Sequence, residues 1–458
     1  MHRRLRFFAL ASVLTGSLAC LRAQSPENTD WPLPETYFPG LKTLLDSAVR
    51  QSPRMIARNA EEAVAEGNRI IAKAGQLPSL GGYFRYFPWD RDERVADPNS
   101  PYTSQKTSYA LNLTQPVYHW GALESTARIG ELQRKIARGD TAESYRALAS
   151  EIRGQFLQLI IKKAGLARTR FAQRLAEDDL KLAKEKSASR VISEADLFSP
   201  TLAVEQAQLA TDRTEDDYES AKKFLAKLAG AAPLADAQIP DAIPDVAQPQ
   251  GRFEGLLAEF ATQTEAGSYV LKNVRDQIEI EKLNYRIAAA RLRPNVDVLI
   301  GSSQDEQSYT ANIGAKYGVT SYFTGVQVNW SIFDGFASKG AKLNSLTRRR
   351  ELERRYQQMS ADLLEQAQAK LRQLQFATRS LEIGRKQLAN SDRNLASAKD
   401  NTARGLASES DLRMAEFGYA GALIDTYNAR ADYLARVADF LGTVLKDPAL
   451  SNLPGPSP

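Results

Sequence analysis

The chain carries two histidines, His2 and His119, and one cysteine, Cys20. A zinc site needs three or four donors brought together, and a nucleophilic triad needs an imidazole beside its Ser or Cys. His2 stands in a basic N-terminal cluster and His119 at the end of a strand-like run, so neither constellation can be assembled. No glycine loop of either common phosphate-cradling type is present. Asp and Glu are abundant but sit on helix-like faces, where a solvated surface or a duct lining is the ordinary reading. The inventory predicts no catalytic residue, no metal site and no cofactor site.

The bulk properties narrow the class further. Lys and Arg number 60 against 55 Asp and Glu, a net charge of +5 in 458 residues. That excess is small and spread along the chain, so no nucleic-acid footprint is expected. Mean hydropathy is −0.40. Beyond the N-terminus no stretch approaches the ~18–20 apolar residues of a spanning helix. Any membrane insertion must therefore use β-strands.

The N-terminus has the physics of an export signal. His2, Arg3, Arg4 and Arg6 form a cationic start, an apolar run begins at Phe7, and small residues follow around Gly16 to Ala19. Cleavage after Ala23 makes 1–23 a signal peptide. Cys20, in Ser17-Leu18-Ala19-Cys20, resembles a bacterial lipobox with its Leu one place late. Cys20 is thus a candidate lipidation site, and whether it is lipidated or removed stays open.

The chain reads as though written twice. Leu111 to Tyr118 and Val326 to Phe333 both alternate apolar and polar residues, and both run into a Gly-containing turn (Gly121; Gly335) before a long helix. Their offset is 326 − 111 = 215, and Asp196-Leu197 and Asp411-Leu412 repeat it, as do Tyr218 and Tyr433. Leu77-Pro78 and Arg293-Pro294 lie one residue off, at 294 − 78 = 216. Each copy has the order helix, strand, strand, long helix, helix. In the first, a helix over Leu41–Ala74 precedes strands Leu80–Trp89 and Lys106–Tyr118, then helices Ala122–Glu185 and Glu194–Leu228. In the second, a helix over Phe253–Leu292 precedes strands Asn295–Gln304 and Val319–Phe333, then helices Ser338–Asn401 and Glu409–Leu445. The domain reading is a first repeat over 24–230, a Pro- and Ala-rich linker over 231–252, a second repeat over 253–446, and a tail over 447–458.

These elements make physical demands. The predicted strands are about ten residues long, one tilted pass across a bilayer. Their aromatics, among them Tyr83, Trp89, Trp120, Tyr322 and Trp330, gather around the segments as an interfacial girdle would. Four strands cannot close a barrel alone, and an open edge in lipid leaves backbone groups unpaired. A membrane role therefore demands oligomerisation, with the loops Asp90–Thr107 and Asp305–Tyr317 facing outward. The helix Ala122–Glu185 carries Leu148, Ile152, Phe156 and Leu159 at threes and fours, the seam of a coiled coil. Such helices would equally suit a non-conducting periplasmic coiled-coil scaffold, or one anchored through Cys20.

Taken together, the export signal, the two-fold element order and the linker resemble the TolC-type outer-membrane efflux proteins. Local marks are Leu77-Pro78 and Leu292-Arg293-Pro294 entering the first strands, and Gln115 to Gly121 and Ser331 to Gly335 leaving the second. The resemblance implies a mixed α and β fold: a trimeric 12-stranded transmembrane β-barrel, four strands per chain, continued by a long periplasmic α-helical barrel. It implies a passive exit duct of a tripartite efflux or type I secretion system, with porin activity and a periplasmic adaptor and inner-membrane pump as partners. In that family the helix–turn–helix tips form the entrance. They match 187–196 and 402–411 here, with Gly405 and Leu406, and Arg190 and Val191, as adaptor contacts. Asp411, with its mate Asp196, falls where an acidic ring narrows the entrance, although Asp also favours helix N-termini and capping remains the alternative. The tyrosine and arginine of the family's latch are replaced by Thr402 and Ala407.

Overall fold

The computed structural model describes residues 31–92, 102–248, 251–308 and 316–449, and all that follows belongs to the unit Pro32–Pro458. The expected signal peptide with Cys20, the tips of both strand hairpins and most of the C-terminal tail lie outside the described residues. Helices α1 (Pro34–Tyr37), α2 (Pro39–Gln51) and α3 (Pro53–Ala74) lead into strands β1 (Ser79–Asp92) and β2 (Tyr102–Tyr118). Then come α4 (Ala122–Ala188), a 3-10 turn over Glu194–Leu197, and α5 (Phe198–Ala229). After the linker, α6 (Arg252–Gly267) and α7 (Tyr269–Ala290) lead into β3 (Asn295–Ser308) and β4 (Lys316–Asn329), followed by α8 (Ala337–Ala403) and α9 (Glu409–Thr443).

Three sequence expectations need correction. The helix expected over Leu41–Ala74 breaks at Ser52, which is extended at φ −61°, ψ 132°. Pro53 disfavours helical backbone in the residue before it and lacks the N–H that the turn would use. The helix expected over Phe253–Leu292 breaks at Ser268, whose hydroxyl accepts from the Leu271 amide at 3.3 Å and caps α7. The two breaks are 268 − 52 = 216 residues apart. Finally, the strands run 14, 17, 14 and 14 residues rather than ten, and they take in 90–92 and 102–107 of the first expected loop and 305–308 and 316–317 of the second.

α4 and α8 are each 67 residues long, roughly 100 Å at ~1.5 Å per residue. Such a rod has no interior of its own, so its apolar stripe must be covered by neighbours. Around the middle of α4 that cover is deepest. Tyr145, Leu148, Ile152, Phe156 and Leu159 are buried there with Leu41 and Leu45 of α2 and Phe440 and Leu441 of α9. The linker is part of this core rather than a loose tether. Ile239, Ile243 and Val246 are buried, and Arg430 and Arg385 donate to the carbonyls of Ile243 (2.6 Å) and Val246 (2.7 Å).

Candidate functional site

The four strands form one antiparallel sheet in the order β1-β2-β3-β4. Register fixes which side chains share a face, because directly opposed residues point the same way. One face carries the rows Leu80–Leu113–Ile300–Thr324 and Gly82–Leu111–Ser302–Tyr322, with Val298 opposite Val326 and Val296 opposite Val328. The other carries Gly81–Asn112–Gly301–Phe323, Tyr83–Ala110–Ser303–Ser321 and Arg85–Ser108–Asp305–Val319. The first face is apolar and open: Leu80 is 67% exposed, Val326 67% and Tyr322 82%. The second is mostly small and polar apart from Tyr83, Phe323 and Val319, and its Ser108, Ala110 and Asp297 are covered. On that side the Phe323 ring lies where a Cβ on Gly301 would stand, 2.4 Å from it, so glycine makes the room. Apolar-out and polar-in alternation is what a membrane barrel wall requires. The outer edges of β1 and β4 have no strand beside them among the described residues.

The sheet is fastened to the helices at two matching corners. Trp120 and Gly121 precede α4 with positive φ, and Gly335 and Phe336 precede α8 likewise, 335 − 120 and 336 − 121 both being 215. The Trp120 indole donates to the Pro294 carbonyl at 2.8 Å, and Trp330 donates to that of Leu292 at 3.0 Å. Asp334 accepts from the Ser338 amide at 2.9 Å and from its hydroxyl, which caps the start of α8 and holds the Asp334 carboxyl below its usual range. His119 pairs with Asp297 across β2 and β3 at 2.7 Å.

At the far ends of the long helices the tips are built alike. Gly405 turns at φ +73° and donates to Thr402 O, while Leu406 N–H reaches back to Asn401 O at 2.8 Å. This is the Schellman closure of a helix C-terminus. The first tip lacks the glycine, yet Arg190 takes φ +59° and makes the same turn, Val191 N–H reaching Lys186 O at 2.8 Å. Val191 and Leu406 are 70% and 74% exposed. Asp411 and Asp196 both sit in capping boxes. The Asp411 carboxylate accepts from the Ser408 hydroxyl (2.7 Å) and amide (3.0 Å), and Asp196 accepts from both groups of Ser193 at 2.8 Å. Those serine hydroxyl and amide donors hold both carboxyls below the ordinary value of 3.8. Because their folded pKa is depressed, the caps contribute fully above pH ~4 and are lost as pH falls through the lower folded value.

Residues 44–231 match the model of the outer membrane efflux protein family. The chain is similar to that family over those residues. No curated protein matches the sequence. The outer membrane protein VceC of Vibrio cholerae has the same fold at TM-score 0.64 and 16% identity, covering 90% of this chain and 99% of its own. The outer membrane channel CmeC of Campylobacter jejuni aligns at TM-score 0.70 and 13% identity, covering 96% and 94%. The open state of the Neisseria gonorrhoeae MtrE channel aligns at 0.61 and 15%, covering 89% of each chain. These solved channels share the fold of this chain.

Three features of the site stand outside the sequence expectations. Arg190 gives no turn signal, because its type does not favour positive φ. The Asp334 cap was legible, since Asp four residues before Ser338 is a helix-start pattern. The His119–Asp297 pair joins residues 178 apart, which no local pattern could indicate.

Proposed function

We propose that this chain supplies four strands to a trimeric, twelve-stranded outer-membrane barrel and acts as a passive exit duct. Its two halves are read as copies of one unit, supported by four pairs of positive-φ residues each 215 apart. One observation carries the proposal: an open four-stranded sheet with one apolar, exposed face and two edges that no strand pairs among the described residues. In lipid every backbone polar group must be satisfied, so that sheet must close with copies of itself. A coiled-coil scaffold would leave the exposed apolar face without a purpose. Protein extracted from outer membranes is expected to show, by light scattering, a mass of three protomers plus detergent. A stable monomer would sink the barrel.

The tips are proposed as the periplasmic entrance, with Gly405, Leu406, Arg190 and Val191 meeting a periplasmic adaptor that links the duct to an inner-membrane pump. Asp411, with Asp196, is proposed to ring that entrance while it also caps α9. In planar bilayers Asp411→Ala should raise single-channel conductance or weaken cation preference, because three like charges around a narrow axis favour cations. If conductance and selectivity match the parent and only tip stability falls, capping is the whole role of Asp411.

A further inference from the structure

A cavity of about 750 Å³ opens at the corner where α3, α4 and α7 meet the sheet. Trp120 lines it, and the Trp120 ring packs edge-on against Tyr118 with centroids 4.8 Å apart. Tyr118 is opposed to Val296, and Val296 to Val328, so this aromatic pair continues the apolar, exposed face of the sheet. His119, between the two rings in sequence, instead pairs with Asp297 on the polar side. The cavity thus lies at the foot of the face that the channel reading puts against lipid.

Its charges do not cancel among themselves. Arg128 is paired with Glu131, and Glu279 with Lys282. That leaves Lys73, Arg286 and Arg293 lining the cavity with no carboxylate partner among the described residues, and Glu124 with no cation. The Arg293 guanidinium lies 4.8 Å over the Trp120 ring, which holds it beside the apolar face. A simple anion would answer the three cations and leave Glu124 facing a second negative charge. A ligand that carries a phosphate and an ammonium answers both, since Lys and Arg are the usual phosphate donors and a carboxylate accepts from an ammonium. The repeat does not impose this chemistry. Adding 215 to Trp120, Glu124 and Arg128 gives Gly335, Lys339 and Leu343, so the set occurs once per chain.

We propose that this cavity seats the headgroup of a zwitterionic membrane phospholipid of the ethanolamine type. Its phosphodiester lies against Lys73, Arg286 and Arg293, its ammonium against Glu124, and its acyl chains run up the apolar face past Trp120 and Tyr118. The assignment rests on the channel reading, because it needs the sheet in the membrane, and adds to it a lipid site at the sheet's edge.

The test is native mass spectrometry of the full-length protein, purified from outer membranes in detergent and titrated with dioleoyl-phosphatidylethanolamine. The parent should retain one such lipid per chain, and should hold dioleoyl-phosphatidylglycerol, which has no ammonium, several-fold less well. Lys73→Gln combined with Arg286→Gln should lower ethanolamine-lipid occupancy several-fold, and Glu124→Gln should erase the preference between the two lipids. Arg348→Gln, in the cavity on the polar side beside His119, is the control and should match the parent. Parental occupancy in the Lys73 and Arg286 combination, at a three-copy mass, would mean that the apolar face alone holds lipid. That result overturns the headgroup site while the channel reading survives. Displacement of the lipid by millimolar inorganic phosphate would assign the cavity to a free anion and overturn the proposal likewise. A monomeric mass that retains neither lipid overturns both readings.

Discussion

Arg153→Met is expected to cost this protein more stability than removal of any surface charge, about 3–5 kcal/mol. Arg153 lies in the middle of α4 with its side chain 1% exposed. Its guanidinium donates to Asp447, Nη1 to Oδ2 at 2.6 Å and Nη2 to Oδ1 at 2.9 Å, and from Nε to Glu35 Oε2 at 2.9 Å. Asp447 is 2% exposed and Glu35 16%. Those two carboxylates hold the guanidinium charged against its burial. Methionine would fill much of the space but leave two covered carboxylates facing each other, and that uncompensated charge is the main cost. The pair also ties α1 and the segment after α9 to one point of α4, so both should loosen together. Arg54, whose partner Glu151 is about as exposed as itself, is the control: Arg54→Ala should cost about 0–1 kcal/mol. The measurement is the denaturation midpoint by far-UV circular dichroism, with limited proteolysis after α9 as a second readout. The combination of Arg153→Met with Asp447→Leu should recover part of the loss. If Arg153→Met and Arg54→Ala shift the midpoint equally, the buried clasp contributes nothing special.

Sequence patterns and structure differ here along a physical line. What depends on local spacing could be read from the residues. The long helices follow from apolar residues at threes and fours, and the tip at Gly405 follows from a glycine where a helix must stop. What depends on distant partners could not. Arg153 finds its partners 118 and 294 residues away. The strands outrun their β-prone centres because ladder pairing carries Ser, Gln, Asp and Glu at 302–308 into β3 opposite β4. The break at Ser268 has no proline to announce it, unlike its counterpart at Ser52. Arg190 adopts the left-handed turn because helix closure and the Ser193–Asp196 cap fix the backbone on both sides, overriding a penalty of ~1–2 kcal/mol. The candidate gate is the mixed case: Asp411 stood out by type and position, and its serine partner explains only the cap.

A matched pair of glycine substitutions separates backbone strain from steric conflict, and one member is expected to be among the most damaging single changes in the chain. Gly230 ends α5 at φ +70° and Gly405 ends α8 at φ +73°, so Gly→Ala imposes nearly the same backbone penalty at each, about 1–2 kcal/mol. Their surroundings differ. A Cβ on Gly405 would meet nothing within 4 Å, whereas one on Gly230 would stand 2.0 Å from the Gln51 carbonyl oxygen and 2.8 Å from the Ser52 nitrogen. Those are backbone atoms at the α2–α3 break, and they have no rotamer to retreat into. Relief requires moving α5 away from that corner, whose neighbours Leu225, Ala226 and Ala229 are buried. Overpacking of this kind costs typically 1–3 kcal/mol beyond the backbone term. Leu445, the counterpart of Gly230 at the end of α9, holds φ +61° with a full side chain, so positive φ alone is tolerated at such a helix end. Gly405→Ala should therefore lower the denaturation midpoint slightly and leave assembly intact, while Gly230→Ala should lower it by the sum of both effects and reduce the yield of assembled protein. Equal shifts for the two variants would mean that the Gln51 corner yields freely and that strain at positive φ accounts for both.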